Sequence, residues 1–145
     1  KGHGSKKWIF LRHNNYQLNG ACVQIKTITW SFKQDIVEPL AWIDLRLFDD
    51  YWREANDYVG PQGVGSNQPG KYEKVGDYLR SMQILHYPFV SLDFRDNPFN
   101  DGRHRTAWLR DHGAQAMPFS CSSQATADKL VEMFGTNQRK TAFNL

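Results

Sequence analysis

The sequence predicts an α+β fold of the α/β type, in which a mixed sheet is flanked by helices and extended at its N-terminus by further strands. Its 145 residues are the usual size of one domain that can bury a core without disulfides or metal ions. Apolar residues make up 40% of the chain and aromatic residues 14%, which argues against intrinsic disorder. Strand and helix patterns alternate after residue 38. We therefore expect a β extension at 1–38 that belongs to the same domain, a core at 39–135 and a tail at 136–145.

The N-terminal third reads as β structure. Residues 8–11 and the alternating stretch 22–30 predict two strands, since apolar and polar positions follow a period of two. Asn19-Gly20 lies between them and suits a turn with positive φ. A hairpin and a long extended arm both fit this pattern.

The first half of the core predicts a strand at 39–45 and a short helix at 48–58, with Trp52 and Ala55 on one side. Residues 60–70 contain four glycines and two prolines, so a flexible loop is expected there. Loops of this kind often carry or gate functional sites.

The next segment predicts a helix at 71–82, then a strand at 88–94 and a polar turn at 95–100. Helical spacing places four apolar or aromatic side chains on one face of that helix. These are Val75, Tyr78, Leu79 and Met82.

The last part predicts a helix from about 103 to 112 that stops at Gly113, a residue suited to a left-handed C-cap. A strand at 117–121 follows. Ser122 or Ser123 can cap a final helix that runs through Phe134, and its inward side chains are expected to be Leu130, Val131 and Phe134. The tail carries no clear pattern.

Composition narrows the class of protein further. No apolar run approaches the roughly 20 residues of a membrane span, and no start resembles a signal peptide, so a soluble intracellular protein is expected. Cys22 and Cys121 lie far apart, and no Cys/His cluster has zinc spacing. The net charge of +3 is too small to identify a nucleic-acid binder, although several cations lie between Lys71 and Arg110.

The segment Asp-Gly-Arg-His-Arg-Thr at 101–106 predicts a phosphate-binding helix start. A glycine before a helix lets free backbone N–H groups approach an anion, and the helix dipole favours negative charge. Two guanidinium groups can each hold phosphate oxygens, while an imidazole can bind or transfer a proton. The residues expected to act here are Asp101, Gly102, Arg103, His104, Arg105 and Thr106.

A plainer interpretation of the same segment also stands. Asp101 can simply cap the helix, His104 can pack inside the protein, and the two arginines can pair with Asp96 or Asp111. The string alone does not separate the two interpretations.

A second feature lies at residues 65–72, which nearly fit the phosphate loop GxxxxGK[ST]. Tyr72 replaces the small hydroxyl residue that binds Mg²⁺, so this is not a P-loop signature. Lys71, and Lys74 one turn later, can still point at the same phosphate as the arginines. Lys71 can equally be a solvated surface lysine.

In order and motif, residues 39–135 resemble the ParB/sulfiredoxin superfamily. The resemblance is carried by PLAWIDL, KYEKVGDYLRSM, PFVSLDF and DGRHRTAWLRDHGAQAMPFSC. The residues that match the family pattern are Gly102, His104, Arg105, Gly113 and Pro118. In sulfiredoxins the loop before this helix binds ATP phosphates together with a lysine and hydroxyl residues of the preceding helix. The resemblance thus implies ATP contacts from Lys71, Lys74 and Tyr78.

The sequence departs from the sulfiredoxin pattern at the catalytic position. Sulfiredoxins carry their catalytic cysteine where this chain has Arg103, so reduction of a sulfinic acid is excluded. A solitary domain of this size is similar instead to the plasmid-encoded oncogenic-suppression and fertility-inhibition proteins. That similarity implies ATP hydrolysis, DNA cleavage and interference with DNA export at a type IV secretion coupling protein. It places the protein in the bacterial cytoplasm, or peripherally at the inner membrane through a partner.

Three functions follow from this interpretation. The first is a phosphohydrolase for ATP and DNA, in which Arg103, Arg105 and Lys71 stabilise charge on the phosphoryl group. Mg²⁺ or another divalent ion would then be held by Asp93, Asp96 or Asp101, each of which can instead be a cap or turn former. The second is a binding module without turnover, in which Tyr78 and Trp108 stack on bases, unless Trp108 belongs to the core. The third is an inhibitor that acts through protein contacts alone.

Overall fold

The computed structural model describes residues 8–10, 15–18, 21–91 and 96–145; residues 8–10, 15–18 and 21–23 are described by their backbone only. It has the expected α+β fold. Within the described residues the helices are α1 (Leu45–Trp52), α2 (Lys71–Leu79), α3 (Arg103–Asp111) and α4 (Gln124–Phe134). The strands are β1 (Trp8–Phe10), β2 (Asn15–Leu18), β3 (Ala21–Thr27), β4 (Thr29–Ser31), β5 (Leu40–Asp44), β6 (Ile84–His86), β7 (Phe89–Val90), β8 (Phe99–Asp101), β9 (Ala116–Cys121) and β10 (Ala142–Asn144).

The N-terminal strands and the C-terminal tail form one antiparallel sheet in the order β1-β2-β3-β10. The pairing of β2 with β3 gives the hairpin that the sequence left open; its turn residues, Asn19 and Gly20, lie outside the described residues. Strand β10 pairs with β3 and buries Phe143. The tail, which showed no clear pattern, therefore completes this sheet.

The core contains the mixed sheet β5-β9-β7-β8. Strand β9 runs antiparallel to β5 and parallel to β7, and β8 returns antiparallel to β7. All six residues of β9 are buried, because β9 is a central strand between β5 and β7. Helix α4 packs on β5 and β9, and the parallel pair β4-β6 links the N-terminal segment to the core.

Several element boundaries differ from the prediction. The helix expected at 48–58 begins at Leu45, since the Asp44 carboxylate caps it by accepting from the N–H groups of Arg46 and Leu47. It ends at Trp52. Strands β2, β6 and β8 were not predicted, and they have only three or four residues each, too few for a clear alternation. The strand expected at 88–94 keeps two residues, Phe89 and Val90, while residues 92–95 lie outside the description.

Helix α2 buries a different face from the predicted one. Its buried residues are Tyr72, Gly76 and Leu79, whereas Tyr78 and Met82 are exposed. A Cβ added at Gly76 would lie 2.7 Å from Nε1 of Trp108. The helix therefore turns its glycine toward α3, a contact that a pattern of apolar residues cannot reveal.

The last two helices follow the sequence closely. Gly113 has φ +88° just after α3, as expected for a left-handed cap. Ser123 caps α4 by accepting from the N–H group of Thr126. Leu130 and Phe134 are buried, but Val131 is 50% exposed, so its expected inward position was wrong. Among the described residues, no helix has the length and apolarity needed to cross a bilayer.

The close contact between α2 and α3 gives a stability prediction. Gly76→Ala would bring a methyl group into the indole of Trp108, so we expect it to lower the free energy of unfolding by ~1–3 kcal/mol, although alanine is the better helix former. Asp77→Ala, at an exposed site of the same helix, should change it by less than ~0.5 kcal/mol. Urea unfolding measures both. A more stable Gly76→Ala protein would contradict the packing described.

Candidate functional site

The predicted phosphate-binding segment lies where β8 passes into α3. Gly102, the N-cap of α3, has φ +95° and offers no side-chain cap. A Cβ there would lie 2.6 Å from Cβ of Pro88, so only glycine fits this junction. Helix α2 starts in the same way, from Gly70 at φ +84° and without a side-chain cap.

The starts of both helices contribute residues to one polar cleft of about 300 Å³. The positive ends of the two helix dipoles favour an anion near these starts. The cleft is lined by Gln68, Lys71, Val75, Phe99, Asn100, Asp101, Gly102, Arg103, His104 and Arg105. The structure therefore brings Lys71 to the DGRHR segment, as the sequence predicted.

Arg105 and Lys71 are the cations of the cleft with unused hydrogen-bonding capacity. The Arg105 side chain is 21% exposed, and its Nη2 donates to Oδ2 of Asp101 over 3.3 Å. Its Nε is buried and has no hydrogen-bond partner among the described residues. Lys71 is exposed, and the described residues offer it no ion pair. Arg105 thus pairs with Asp101, rather than with Asp96 or Asp111 as the plainer interpretation supposed.

The guanidinium group of Arg103 is hydrogen-bonded to the loop at residues 57–68. Its Nη1 donates to the carbonyl oxygen of Asp57 over 3.1 Å, and its Nη2 donates to Asn67 Oδ1 over 2.7 Å and to Gln68 Oε1 over 3.2 Å. The guanidinium group therefore holds the loop against the start of α3. Its sequence-based role as a direct phosphate ligand requires that some of these bonds be exchanged.

His104 also contacts this loop, through Ser66. It is buried, and its Nε2 lies 2.8 Å from Oγ of Ser66. Burial lowers the pKa of His104 below its usual value, and the charges of Arg103 and Lys71 lower it further. The ring is therefore neutral at pH 7. The plainer expectation of an inward-packed histidine is correct, although His104 also lines the cleft.

Ser66 was not singled out from the sequence. The only signal was its place in the glycine-rich loop, next to Gly65 with φ +87°. Its hydroxyl oxygen also accepts from the N–H group of Gln68 over 3.1 Å. The hydroxyl also donates to the carbonyl oxygen of Gln68 over 3.5 Å, so Ser66 links this turn of the loop to His104.

Two predicted residues of the segment face other partners. Thr106 is fully buried, and its hydroxyl donates to the carbonyl oxygen of Gly102 over 3.0 Å, so it serves the first turn of α3. Asp101 does not cap the helix. Its Oδ2 accepts a hydrogen bond from Arg105 and lies 3.9 Å from Nζ of Lys33.

The expected metal ligands do not form a cluster in the part of the chain that the structure describes. No group of three or more His, Cys, Asp or Glu side chains there is arranged to hold an ion. Asp96 is exposed, and its backbone carbonyl accepts from the N–H group of Asn56. Asp93 lies outside the described residues.

Lys74 and Tyr78 line a neighbouring cleft of about 390 Å³ that shares Lys71, Val75 and Arg105 with the first. The hydroxyl of Tyr78 donates to the carbonyl oxygen of Ile84 over 2.8 Å. The two residues assigned to ATP contacts by resemblance thus lie beside the polar cleft rather than in it.

The far end of α3 carries a buried ionic network. Arg110 donates to Asp49 Oδ1 over 2.9 Å, to the carbonyl oxygen of Val59 over 2.7 Å and to Asp111 Oδ1 over 2.9 Å. The other carboxylate oxygen of Asp111 accepts from the Tyr72 hydroxyl and from the N–H group of Gln62. Burial would raise the pKa of Asp111, but these hydrogen bonds hold it below its usual value. The network fixes the other end of the glycine-rich loop.

Two further side chains have structural roles. Trp108 is 5% exposed and its ring stacks on His112, which makes it a core residue and not a platform for bases. Cys121 is a buried free thiol whose pKa burial raises to about 12. It stays protonated at neutral pH and is a poor nucleophile.

Comparison with known protein families finds a match to part of the chain. Residues 93–135 match the family model described as Plasmid Fertility inhibition factor, which supports a fertility-inhibition-like protein. The match spans β8, α3, β9 and α4, and so includes the segment at the polar cleft. No curated protein and no solved structure matches the chain, so the ParB/sulfiredoxin resemblance stays a prediction.

The buried histidine predicts how stability depends on pH. The pKa of His104 is lower in the folded than in the unfolded chain, where it is ~6.5. The unfolded chain therefore binds more protons as the pH falls through ~6.5, and stability present above that pH is lost on the way to the folded pKa. We expect urea midpoints to fall between pH 7.5 and 5.5, with a weaker dependence in His104→Gln. An equal slope in both proteins would contradict the neutral, buried ring.

Proposed function

We propose that this protein is an inhibitor of plasmid fertility whose polar cleft binds the phosphates of a nucleotide, with ATP as the first candidate. The matched family model supports the first part. The second part is supported above all by one observation: the starts of α2 and α3, neither of which has a side-chain cap, contribute Lys71 and Arg105 to a single cleft.

The cleft has donors that a phosphate would satisfy. The buried Nε of Arg105 lacks a partner among the described residues, and a buried unsatisfied donor costs roughly 1–3 kcal/mol. Because Nε is buried, a phosphate oxygen would accept from it once the Arg105 side chain turns toward the cleft. Lys71, the first residue of α2, can neutralise the remaining negative charge of the phosphate.

Arg103 and His104 support this site mainly as positioning residues. Together they bind three consecutive residues of the loop at 66–68, and Gln68 lines the cleft. These hydrogen bonds therefore fix the side of the cleft that a phosphate at the start of α3 would contact.

The proposal extends to catalytic turnover of ATP and DNA. ATP hydrolysis and DNA cleavage, as the resemblance implies, would need an attacking water and a divalent ion. Mg²⁺ commonly takes one or two carboxylates together with phosphate oxygens and water. Asp101 is the carboxylate among the described lining residues, but its Oδ2 already faces Arg105 and Lys33, so the ion would be held by phosphate oxygens and water. DNA and a type IV secretion coupling protein remain predicted partners.

The test is ATP binding by calorimetry, with and without Mg²⁺, to wild type, Lys71→Gln and Arg105→Gln. Each variant should bind ~10- to 100-fold more weakly, the size of a lost charged hydrogen bond. Lys129→Gln is the matched control, because Lys129 is an exposed lysine of α4 paired with Glu132. It should bind as wild type does.

Two further readouts accompany the binding assay. Release of inorganic phosphate and nicking of supercoiled DNA by the wild type, lost in Arg105→Gln, would support turnover; binding alone would favour the module without turnover. Donor cells that express each protein then report transfer frequency. Wild-type inhibition of transfer without any ATP binding would contradict the role proposed for the cleft.

A further inference from the structure

We propose that the nucleotide is a ribonucleotide whose ring binds in a second, aromatic cleft made by the N-terminal segment, with Asp101 accepting the ribose hydroxyls. This inference rests on the proposed function, because it takes the phosphates to lie in the polar cleft. It adds the ring site, the sugar contact and the preference for ribose.

The aromatic cleft has a volume of about 280 Å³. Phe32 and Tyr87 form its aromatic wall, with ring centroids 4.7 Å apart, and Tyr87 stacks in turn on Trp30. A flat heterocycle that packs on this wall would gain the stacking energy that aromatic side chains give to bases. The cleft is lined by Phe32, Lys33, Gln34, Ile36, Glu38, Tyr87, Phe89, Asp101 and Ser120.

The two clefts meet at Asp101, which lines both. Asp101 pairs in register with Phe89 across β7 and β8, so the end of β8 is their common border. Volumes of about 280 and 300 Å³ together reach the range of ~300–1,000 Å³ typical of small-molecule sites. One ligand that spans both would have its middle portion at Asp101.

The chemistry of this border suits a sugar and not a phosphate. A carboxylate repels phosphate oxygens, but it accepts hydrogen bonds from hydroxyl groups. Oδ2 of Asp101 already faces Arg105 and Lys33, whereas Oδ1 has no partner among the described residues. A carboxylate that accepts from the ribose 2′-hydroxyl is known from dinucleotide-binding folds, and a deoxynucleotide lacks that group.

The floor of the aromatic cleft carries polar groups that can meet the edge of a base. The hydroxyl of Ser120 donates to Oε1 of Glu38 over 3.0 Å, which orients the carboxylate. Its second oxygen can accept from an exocyclic amino group. The cleft beside Tyr78 offers two rings, Tyr78 and His86, and both already have partners, Ile84 and Ser31. The ring is therefore assigned to the cleft of Phe32.

The experiment compares ATP, dATP and tripolyphosphate by calorimetry on the full chain. Wild type should bind ATP about tenfold more tightly than dATP, and dATP more tightly than tripolyphosphate. Phe32→Ala should weaken ATP and dATP about tenfold and leave tripolyphosphate unchanged, which also reports that the variant is folded. Asp101→Asn should bring the ATP to dATP ratio near one without weakening tripolyphosphate.

The outcomes separate the two proposals. If tripolyphosphate binds and ATP binds no more tightly, the aromatic cleft is not the ring site although the phosphate site stands. Loss of ATP affinity in Tyr78→Ala with none in Phe32→Ala would move the ring to the other cleft and overturn this inference. Equal affinity for ATP and dATP overturns the role of Asp101. If none of the three binds, the proposed function itself is wrong, and the ring site falls with it.

Discussion

The attachment of α3 to the segment at residues 57–70 is the constraint on which the rest of the site depends. Arg103 binds that segment at the start of the helix and Arg110 binds it at the end. Helix α2 begins directly after the segment, so its N-terminus is positioned by the same contacts. Because both walls of the polar cleft derive from this attachment, loss of either arginine would change the cleft as well as the loop.

The basic residues of this region divide into two groups by their partners. Arg103 and Arg110 donate to backbone carbonyls and side chains of the protein itself. Lys71 has no ion pair among the described residues, and Arg105 pairs through Nη2 with Asp101 alone; a buried donor without a partner is common to Arg105 and Arg110. Charge composition cannot make this division, since all four count equally toward the net charge of +3. The distinction rests on which side chain finds a buried acceptor.

The N-terminal segment contributes to the proposed ring site because of where β4 lies. Strand β4 pairs in parallel with β6, which brings Phe32 and Lys33 to the border of the core beside Asp101. The family match begins at residue 93 and does not include this segment. Of the residues that line the aromatic cleft, Asp101 and Ser120 lie inside the matched region and the others lie before it.

Much of the fold was accessible from local patterns. The helix at 103–112, its glycine cap at Gly113 and the Ser123 cap of α4 follow from chemistry within a few residues, and the sequence predicted them. Short strands such as β6 and β8 were missed, because their existence depends on a neighbouring strand and not on their own alternation. The buried face of α2 was wrong for a related reason, since Gly76 is buried by the shape of Trp108.

For the site, the sequence by itself determined that Gly102, Arg103, His104 and Arg105 stand at a helix start with anion-binding chemistry, because that depends on residue order alone. Only the tertiary structure decided which of them remain available to a ligand. Hydrogen bonds between residues 35 to 40 positions apart, such as those from Arg103 to Asn67 and from His104 to Ser66, leave no trace in local spacing. They form only after α2, α3 and the loop have packed together.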